Sequence, residues 1–289
     1  MTLPHDPLWP RANSLFMHND SEVVDVTLIG IPASRTSLSP TSADQTPNAI
    51  REELARYSTF HSNVKVDIDK LSLADSGDIP SPDLDESQTI KTFEVIAKKS
   101  KLTISLGGDN SITFSSVLGS KASGLITLDA HHDLRDGVSN GSPVRRLIEA
   151  GLSGQKVVQI GIADFSNSPA YAKRARDLGI TVIPRSELRH RSATDIWAQA
   201  LEVAGSNVFV DFDMDVCDRT FVPACPASAP GGISADEIRQ FAFLAGSSES
   251  VVGIDITEID STKDASDKRT IRLAALVILE AIAGFSTRR

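Results

Sequence analysis

The sequence has little cysteine and a deficit of basic residues. Its 289 residues include two cysteines, Cys217 and Cys225. So few thiols exclude a disulfide scaffold and favour a reducing, cytoplasmic location. Lys and Arg number 29 against 38 Asp and Glu, which gives a net charge of −9. Because proteins that bind nucleic acids usually present a basic face, this balance argues against a nucleic-acid partner.

Long apolar runs are missing as well. The longest apolar segment, residues 273–285, is interrupted by Glu280 and is too short to cross a bilayer. The first residues lack a cationic start followed by an apolar stretch, so we expect neither a signal peptide nor a membrane partner. Residues 1–22, with three prolines, are predicted to form an irregular arm. No linker, repeat or low-complexity tract divides residues 23–289, which predicts a single domain.

What the sequence does contain is a regular alternation of short apolar runs with amphipathic segments. The runs predict strands at 23–32, 64–68, 102–106, 124–128, 156–160, 180–183, 208–213 and 251–256. The amphipathic segments predict helices at 46–57, 87–100, 142–151, 168–178, 193–204, 234–244 and 268–283, and one that ends near 118. Strands that alternate with helices predict an α/β fold of three layers, α/β/α, with a mainly parallel sheet.

Three potential metal ligands follow the predicted strand at 124–128. Asp129, His131 and Asp133 occupy alternate positions, and alternate residues of extended backbone share one side. Two carboxylates and an imidazole suit a divalent first-row cation, and carboxylates favour manganese. Taken alone, the motif could equally be an acidic turn at the surface.

A second acidic group after the strand at 208–213 repeats this spacing. Asp213 and Asp215 are again two residues apart, and Asp211 precedes them. Ligands of parallel sheets collect beyond the carboxyl ends of the strands, so both groups are expected at one crevice. Four carboxylates there would repel one another unless cations neutralise them, which predicts two divalent ions. Asp211 could support this site from behind or face solvent.

Four motifs together resemble the ureohydrolase superfamily, the arginase-like manganese enzymes, over most of the chain. The sequence Gly-Gly-Asp-Asn-Ser at 107–111 is similar to the superfamily's Gly-Gly-Asp-His-Ser. Asp-Ala-His-His-Asp at 129–133 matches its second motif. Asp-Met-Asp at 213–215, followed by Ala-Pro-Gly-Gly at 229–232, matches its third region, and Thr-Glu-Ile-Asp at 257–260 resembles a late Val-Glu-Val-Asn.

The resemblance implies an arginase-like fold that holds two Mn²⁺ ions per chain. Asp129 and Asp213 would bridge the ions, and a hydroxide between the ions would attack an amidine carbon. Glu258 would hold the cationic C–N group of the substrate. The remaining ligands would be Asn110 and Asp133 on one ion and His131 and Asp215 on the other.

Two positions depart from the arginase pattern. Asn110 stands where arginases and agmatinases place a histidine ligand, and an amide oxygen is a weaker ligand for that ion. The segment 139–144 contains no histidine where arginases place a proton shuttle. The leaving amine would then take its proton from the bridging hydroxide or from Asp133.

Within the superfamily, the sequence around the second motif is most similar to the formiminoglutamase branch. Three stretches carry this similarity: Asp-Ala-His-His-Asp-Leu-Arg at 129–135, Ser-Asn-Gly-Ser-Pro-Val-Arg at 139–145 and Gln-Ile-Gly-Ile-Ala-Asp-Phe-Ser-Asn at 159–167. The resemblance implies hydrolysis of N-formimidoyl-L-glutamate to L-glutamate and formamide, in histidine degradation. Arg135 would clamp a substrate carboxylate, with Asn140 and Ser142 as further donors. Alternatively, Arg135 could pair with Asp136 or with another acid at the surface.

Two other functions stay open at this point. One is an agmatinase or guanidino-acid hydrolase of the same superfamily. The other, suggested by the two missing histidines, is a ureohydrolase-like protein that binds a ligand without catalysis. Relatives in this superfamily are often symmetric oligomers, so a homo-oligomer is also possible.

Overall fold

Parallel strands and covering helices alternate along the chain in the computed structural model, which describes residues 6–16 and 23–288. Part of the predicted N-terminal arm, residues 1–5 and 17–22, lies outside the described residues, and Ala12–Leu15 form a short 3₁₀ turn. The boundary between arm and domain therefore stays a prediction. None of the described helices is long and apolar enough to cross a membrane.

The main sheet has eight strands, and every pairing in it is parallel. Its members are β1 (Val24–Ile31), β4 (Leu73–Asp78), β5 (Ser100–Gly107), β6 (Gly124–Leu128), β7 (Val157–Ile162), β8 (Thr181–Pro184), β9 (Val208–Asp213) and β10 (Val251–Thr257). Their order across the sheet is β4-β1-β5-β10-β9-β6-β7-β8. Two short strands, β2 (Phe60–His61) and β3 (Val66–Asp67), form a separate antiparallel ribbon.

Helices cover both faces of the sheet. They are α1 (Thr46–Leu54), α2 (Glu86–Ala97), α3 (Ile112–Ser120), α4 (Pro143–Glu149), α5 (Pro169–Asp177), α6 (Ala193–Ala204), α7 (Ala235–Ser247) and α8 (Arg269–Phe285). Successive strand residues belong to different apolar clusters: Phe209 packs with Phe93 of α2, and Val210 packs in the cluster that holds α1, α6, α7 and α8. This alternation follows from the pleat of a strand. The predicted three-layer α/β/α fold is confirmed.

Serine caps fix where several helices begin. The hydroxyl of Ser168 accepts a hydrogen bond from the backbone N–H of Tyr171, and Pro169 takes the first position of α5. Ser192 caps α6 in the same way, and Ser234 forms a reciprocal capping box with Glu237 at α7. Caps satisfy N–H groups that have no partner inside a helix, so the predicted helix starts fall within one or two residues of these positions.

One edge of the sheet contradicts the sequence prediction. The strand predicted at 64–68 overlaps β3, which is outside the main sheet, and the true neighbour of β1 is β4. Only Leu73 and Ala74 of β4 are buried, and its sequence ends Asp-Ser-Gly-Asp. These residues have low strand propensity, so pairing with β1 rather than local preference determines this edge strand.

The four strands whose ends carry the polar motifs are consecutive in the sheet. The order β5-β10-β9-β6 brings together the Gly-Gly-Asp-Asn turn after β5, Glu258 after β10, the end of β9, and the Asp129 motif after β6. All four ends face the same way because the strands are parallel. The topology therefore places the motifs in one crevice.

Candidate metal centre

Five side chains from the ends of β6 and β9 form two overlapping groups of metal-type ligands. The histidine cluster consists of Asp129, His131 and Asp215, and the carboxylate cluster of Asp129, Asp133 and Asp213. Within each cluster the ligand atoms lie within 4.8 Å of one another. Asp129 belongs to both. A shared carboxylate between two groups is the arrangement that a bridged pair of ions requires.

Local turns aim the carboxylates. The Oδ1 of Asp129 accepts a hydrogen bond of 2.6 Å from the backbone N–H of His131, and Asp213 Oδ1 accepts one of 2.9 Å from that of Asp215. These side-chain turns fix one oxygen of each group. The other oxygen of Asp129 is buried and has no hydrogen-bond partner. Asp133 takes a left-handed backbone conformation with φ of 53°, a strained position that is common at functional sites.

Crowding shifts the protonation of this group when no cation is present. Burial, with Asp215 beside it, raises the pKa of Asp129 to about 6. Burial and neighbouring carboxylates also raise the pKa of Asp133 and of Asp213 well above the ordinary value. Burial by itself lowers the pKa of His131, but Asp215 and Asp129 outweigh it and raise that pKa to about 12. The carboxylates therefore need positive charge, which either protons or cations can supply.

The donor set fits divalent cations better than protons alone. One oxygen of Asp129 is buried without a hydrogen-bond partner, and both ligand clusters share this residue. The imidazole of His131 lies 3.0 Å from Asp215. Hard oxygens with one imidazole suit manganese among the common ions. Asp129, His131, Asp133, Asp213 and Asp215 are thus brought together as the sequence predicts.

The structure turns the amide oxygen of Asn110 away from this group. Its Nδ2 donates to Asp133 Oδ2 at 2.6 Å, and its Oδ1 accepts from the hydroxyls of Thr113 at 2.7 Å and Thr257 at 3.2 Å. The amide nitrogen therefore faces Asp133 and the amide oxygen faces the two threonine hydroxyls. In this orientation Asn110 supports Asp133 and does not present a ligand oxygen, contrary to the prediction that it ligates.

An acid pair lies behind the site. Asp211 of β9 and Asp255 of β10 are register partners, and both are fully buried. Burial, followed by the charge of Asp255, raises the pKa of Asp211 well above the ordinary value, and burial raises the pKa of Asp255 to about 7. Thr113 Oγ1 also lies 2.9 Å from Asp255 Oδ2, and it can accept a hydrogen bond from that carboxyl group when Asp255 is protonated. Of the two predicted alternatives for Asp211, support from behind is the one found, because solvent does not reach it.

A cavity of about 180 Å³ opens over the ligands. Cavities for drug-sized ligands are roughly 300–1,000 Å³, so this one suits a small substrate. Larger hollows of about 340 and 470 Å³ lie near His61 and Arg239, where the described residues include no group of metal-type ligands. The lining of the cavity over the ligands includes His131, Asp133, Asp213, Asp215, Glu258, Arg135, Asn140, Asn167, Tyr171, Leu38, Ser39, Pro226 and Ala227.

Glu258 enters the cavity from the end of β10. Its backbone is left-handed, with φ of 62°, and its side chain is buried. Its Oε1 accepts the backbone N–H of Asn110 and the Nδ2 of Asn140, each at 2.7 Å. Burial, with Asp109 nearby, raises the pKa of Glu258 to about 8. A buried carboxylate that keeps one oxygen free can bind a substrate cation.

Arg135 projects from the loop that follows Asp133. No carboxylate of the described residues pairs with it, and Asp136 pairs with Arg174 at 2.8 Å instead. The alternative of an Arg135–Asp136 pair is therefore wrong. Arg145 donates to the backbone oxygens of Arg135, at 2.6 Å, and of Gly137. The loop is thus braced by its neighbours, and the guanidinium of Arg135 is left available to the cavity.

The structure does not bring Ser142 into the cavity. Its hydroxyl is fully buried, donates to the backbone oxygen of Ser139 at 2.8 Å and accepts that residue's N–H at 2.9 Å. The prediction that Ser142 contacts substrate is therefore wrong. The hydroxyl shapes the turn that leads into α4.

Sequence reasoning missed two cavity residues from the β7–α5 connection. Asn167 accepts the backbone N–H of His132 at 3.0 Å and donates to the backbone oxygen of Ala130 at 2.9 Å, so it braces the ligand loop. Tyr171, in the first turn of α5, lines the cavity. The end of β7 lies beside β6 in the sheet, and this adjacency, together with the similarity of residues 159–167 to the formiminoglutamase branch, is the signal that points to them. Cys217 and Cys225 are free and buried, as expected for a chain without disulfides.

Comparisons with known proteins agree with this geometry. The model of the arginase family matches residues 24–284. A formimidoylglutamase of Halalkalibacterium halodurans is 36% identical over 293 positions, which span 95% of this chain and 92% of that protein.

Two solved structures are similar over almost the whole chain. That of a Bacillus subtilis formimidoylglutamase has a TM-score of 0.92 at 30% identity, and covers 99% of this chain and 95% of that one. A Trypanosoma cruzi formiminoglutamase solved with Mn²⁺ has a TM-score of 0.89 at 26% identity, and covers 97% of this chain and 100% of that one. The resemblance inferred from four short motifs is thereby confirmed at the level of sequence and fold.

Proposed function

This chain belongs to the arginase family, and from that membership we propose that it hydrolyses N-formimidoyl-L-glutamate to L-glutamate and formamide with the help of manganese. As a relative of formimidoylglutamases, the chain is a hydrolase that acts on a carbon–nitrogen bond of a linear amidine. The choice of substrate and of metal is the proposal, and histidine degradation is the process it would serve.

The two clusters are the proposed cation sites. Asp129, His131 and Asp215 would hold one Mn²⁺ ion, and Asp129, Asp133 and Asp213 would hold the other. Bound manganese lowers the pKa of coordinated water and so supplies hydroxide at neutral pH. The T. cruzi formiminoglutamase of similar fold was solved with this metal, which supports the choice.

The residues around the cavity would orient the substrate. The free oxygen of Glu258 would receive an N–H of the cationic amidine group, next to the carboxylates that hold the metals. Asp133 lines the same cavity and is the nearest candidate to pass a proton to the leaving amine. In the overall reaction water adds oxygen to the amidine carbon and the bond from that carbon to the glutamate nitrogen breaks. One proton of the water goes to the glutamate nitrogen, and the other goes to the nitrogen that leaves in formamide.

The observation that carries this proposal is the unpaired guanidinium of Arg135 at the cavity wall. A guanidinium binds a carboxylate through two parallel hydrogen bonds, so the cavity favours an amidine that carries an acid group. Agmatine carries an amine in that place and would be repelled. The site thus favours an acidic amidine over agmatine.

Release of formamide from N-formimidoyl-L-glutamate by the manganese-loaded protein tests the proposal. We expect turnover of that compound and little of agmatine, and an Arg135→Gln variant should raise KM for the acidic substrate. The matched control is Arg176→Gln, an arginine of α5 that does not line the cavity. Turnover of agmatine alone would contradict the substrate while leaving the reaction class intact.

A guanidino-acid hydrolase is the second candidate. Arg135 is the only guanidinium or ammonium group that lines the cavity among the described residues, and one cation matches a substrate with a single carboxylate. Guanidinobutyrate belongs in the same assay, with urea as the product measured. Faster turnover of guanidinobutyrate than of N-formimidoyl-L-glutamate would decide for this candidate. The cytoplasmic location and a homo-oligomeric state stay predictions.

A further inference from the structure

The polar groups of Asn140 form hydrogen bonds with other residues of the protein and do not point into the cavity as free donors. Its Nδ2 donates to Glu258 Oε1 at 2.7 Å, its Oδ1 accepts the backbone N–H of Leu38 at 3.0 Å, and its own backbone N–H donates to Thr36 at 3.2 Å. The backbone N–H of Leu38 can only donate, so the amide oxygen of Asn140 faces Leu38 and the amide nitrogen faces Glu258. The sequence had suggested Asn140 as a donor to substrate.

The two carboxylate oxygens of Glu258 have different surroundings. Both of its donors, the backbone N–H of Asn110 and the Nδ2 of Asn140, reach Oε1 at 2.7 Å. No described donor reaches Oε2, and the residue lines the cavity. Two donors on one oxygen fix the plane of a carboxylate and leave the other oxygen for a ligand.

Asn140 lies between two separate parts of the cavity wall. It connects Glu258, after β10, with the rim loop, residues 33–40, which contributes Leu38 and Ser39 to the cavity wall. The rim loop is also held by Asp83, which accepts the backbone N–H groups of Ser34 at 3.0 Å and Arg35 at 3.3 Å, and by the backbone N–H of Asp109, which donates to Ala33 at 2.9 Å. Asn140 is thus the direct link between this loop and the cation-binding carboxylate.

We propose that Asn140 is a positioning residue: it holds Glu258 so that Oε2 faces the amidine group, and it makes the rim loop part of that support. This inference rests on the proposed function in one respect, that Glu258 binds the cationic group of the substrate. It assigns Asn140 to the reacting end of the substrate instead of the carboxylate end.

An isosteric variant separates the two roles. Asn140→Asp keeps the shape and the acceptor for Leu38 but removes the donor to Glu258. We expect kcat/KM to fall about 10- to 100-fold, the loss typical of a hydrogen bond to a charged group. The loss should be equal for N-formimidoyl-L-glutamate and for N-propylformamidine, which carries no carboxylate. A loss confined to the carboxylate-bearing substrate would overturn the inference.

A double-mutant cycle with Glu258→Ala tests whether Asn140 acts through that residue. In the Glu258→Ala background, Asn140→Ala should cause no further loss of kcat/KM, because residues in contact are not additive. Losses that multiply would overturn the inference. Asn63→Asp, an exposed asparagine that does not line this cavity, is the matched control. Manganese content measured on every variant separates a misplaced carboxylate from a damaged metal site.

Failure of the proposed function can be distinguished from failure of the inference about Asn140. If the wild-type protein turns over none of these amidines, the proposed function is wrong, and the inference is then decided by calorimetric binding of guanidinobutyrate. Weaker binding in Asn140→Asp, with no further weakening on adding Glu258→Ala, would support it. Unchanged binding in Asn140→Asp would overturn it.

Discussion

The two halves of the candidate metal centre share Asp129 but are built differently. The histidine cluster has an imidazole 3.0 Å from Asp215, whose other oxygen accepts the backbone N–H of Ala130 at 3.3 Å. The carboxylate cluster has no nitrogen ligand, and the amide of Asn110 beside it donates a hydrogen bond to Asp133. Ligand oxygens of both clusters accept hydrogen bonds, so the difference between the clusters is the imidazole nitrogen, which is a good ligand for first-row cations. We therefore expect the histidine cluster to hold its cation more tightly.

Loss of Asp129, the ligand that both clusters share, should abolish the difference in manganese affinity, because both clusters would then lose their cation. In Asp129→Asn a neutral amide replaces the one carboxylate that belongs to both clusters. We expect the manganese content to fall towards zero and activity to fall by more than the roughly 10- to 100-fold that loss of an outer-sphere partner costs. Emission spectrometry and the formamide assay measure these. Retention of one ion per chain would show that Asp129 serves one cluster only.

The control for this variant is a carboxylate outside the site. Asp177 lies on α5 and makes only an exposed ion pair with Lys173. Such pairs contribute about 0–1 kcal/mol to stability, so Asp177→Asn should keep both metal and activity.

The pH dependence of the metal-free protein tests the charge balance of both halves. The pKa of Asp129 is raised to about 6 and that of Glu258 to about 8, above their ordinary values of 3.8 and 4.5. The folded state then holds more protons than the unfolded state between about pH 4 and pH 8. The free energy of unfolding should therefore fall as pH rises through this window. Urea denaturation at several pH values measures it.

Manganese should reverse this trend. Cations displace the protons from the clusters, so binding releases protons and the apparent affinity rises with pH. At a free metal concentration of 100 times the dissociation constant, each ion should stabilise the folded protein by about 2.7 kcal/mol. A metal-free protein whose stability rises from pH 5 to pH 8 would contradict the charge balance inferred from the two clusters.

A substitution that gives the carboxylate cluster an imidazole should narrow the difference in manganese affinity between the two clusters. Asn110→His would remove the donor to Asp133 and place an imidazole beside the carboxylate cluster. We expect the dissociation constant of the weaker manganese ion to fall about tenfold, since even residues that only orient a ligand change metal affinity by this much. Competition with a chelator measures it, and Asn63→His serves as the control. Unchanged retention would mean that position 110 is not beside a cation.

The carboxylates of this centre could be predicted because they follow from local pattern. Alternate acids after an apolar strand point one way, and parallel strand ends meet, so Asp129, Asp133, Asp213 and Asp215 were found by spacing alone. That the four motif-bearing strand ends meet at one crevice was also predicted, although the order of these strands in the sheet was not. The edge strand β4 could not be predicted in this way, because its residues have low strand propensity and its position depends on pairing with β1.

Side-chain orientation is what the sequence could not supply. Asn110 and Ser142 have the right chemistry for a ligand and a donor, but their partners decide their roles. Thr113 and Thr257 turn the amide of Asn110, and the turn at Ser139 takes the hydroxyl of Ser142. These partners are up to 147 residues distant in sequence. The hydrogen bond from Thr257 to Asn110 therefore leaves no local pattern, whereas Thr113 and Ser139 are each three residues from their partner and act through the local turn that the fold imposes.

The smallest effect is expected two residues from the site, at Asp211. This acid is as buried as the neighbouring Asp213, but it faces Asp255 and Thr257 rather than the cavity. Two buried acids at one register cannot both be ionised, so the pair needs a shared proton. An asparagine supplies an N–H to Asp255 at every pH. We therefore expect Asp211→Asn to retain manganese and to change the free energy of unfolding by about 1 kcal/mol or less.

Asp213→Asn is the matched comparison for this variant, since it makes the same change at a ligand of the carboxylate cluster. Chelator competition should show lost manganese for Asp213→Asn and full retention for Asp211→Asn. In the wild-type protein, Asp255 has a pKa raised to about 7 by burial, and its carboxyl group shares a proton with Asp211. The Asp211→Asn variant has no shared proton to lose, so its free energy of unfolding should depend less on pH above 7 than that of the wild type. Equal metal loss in the two variants would place Asp211 among the ligands and remove the distinction between the clusters and the acid pair behind them.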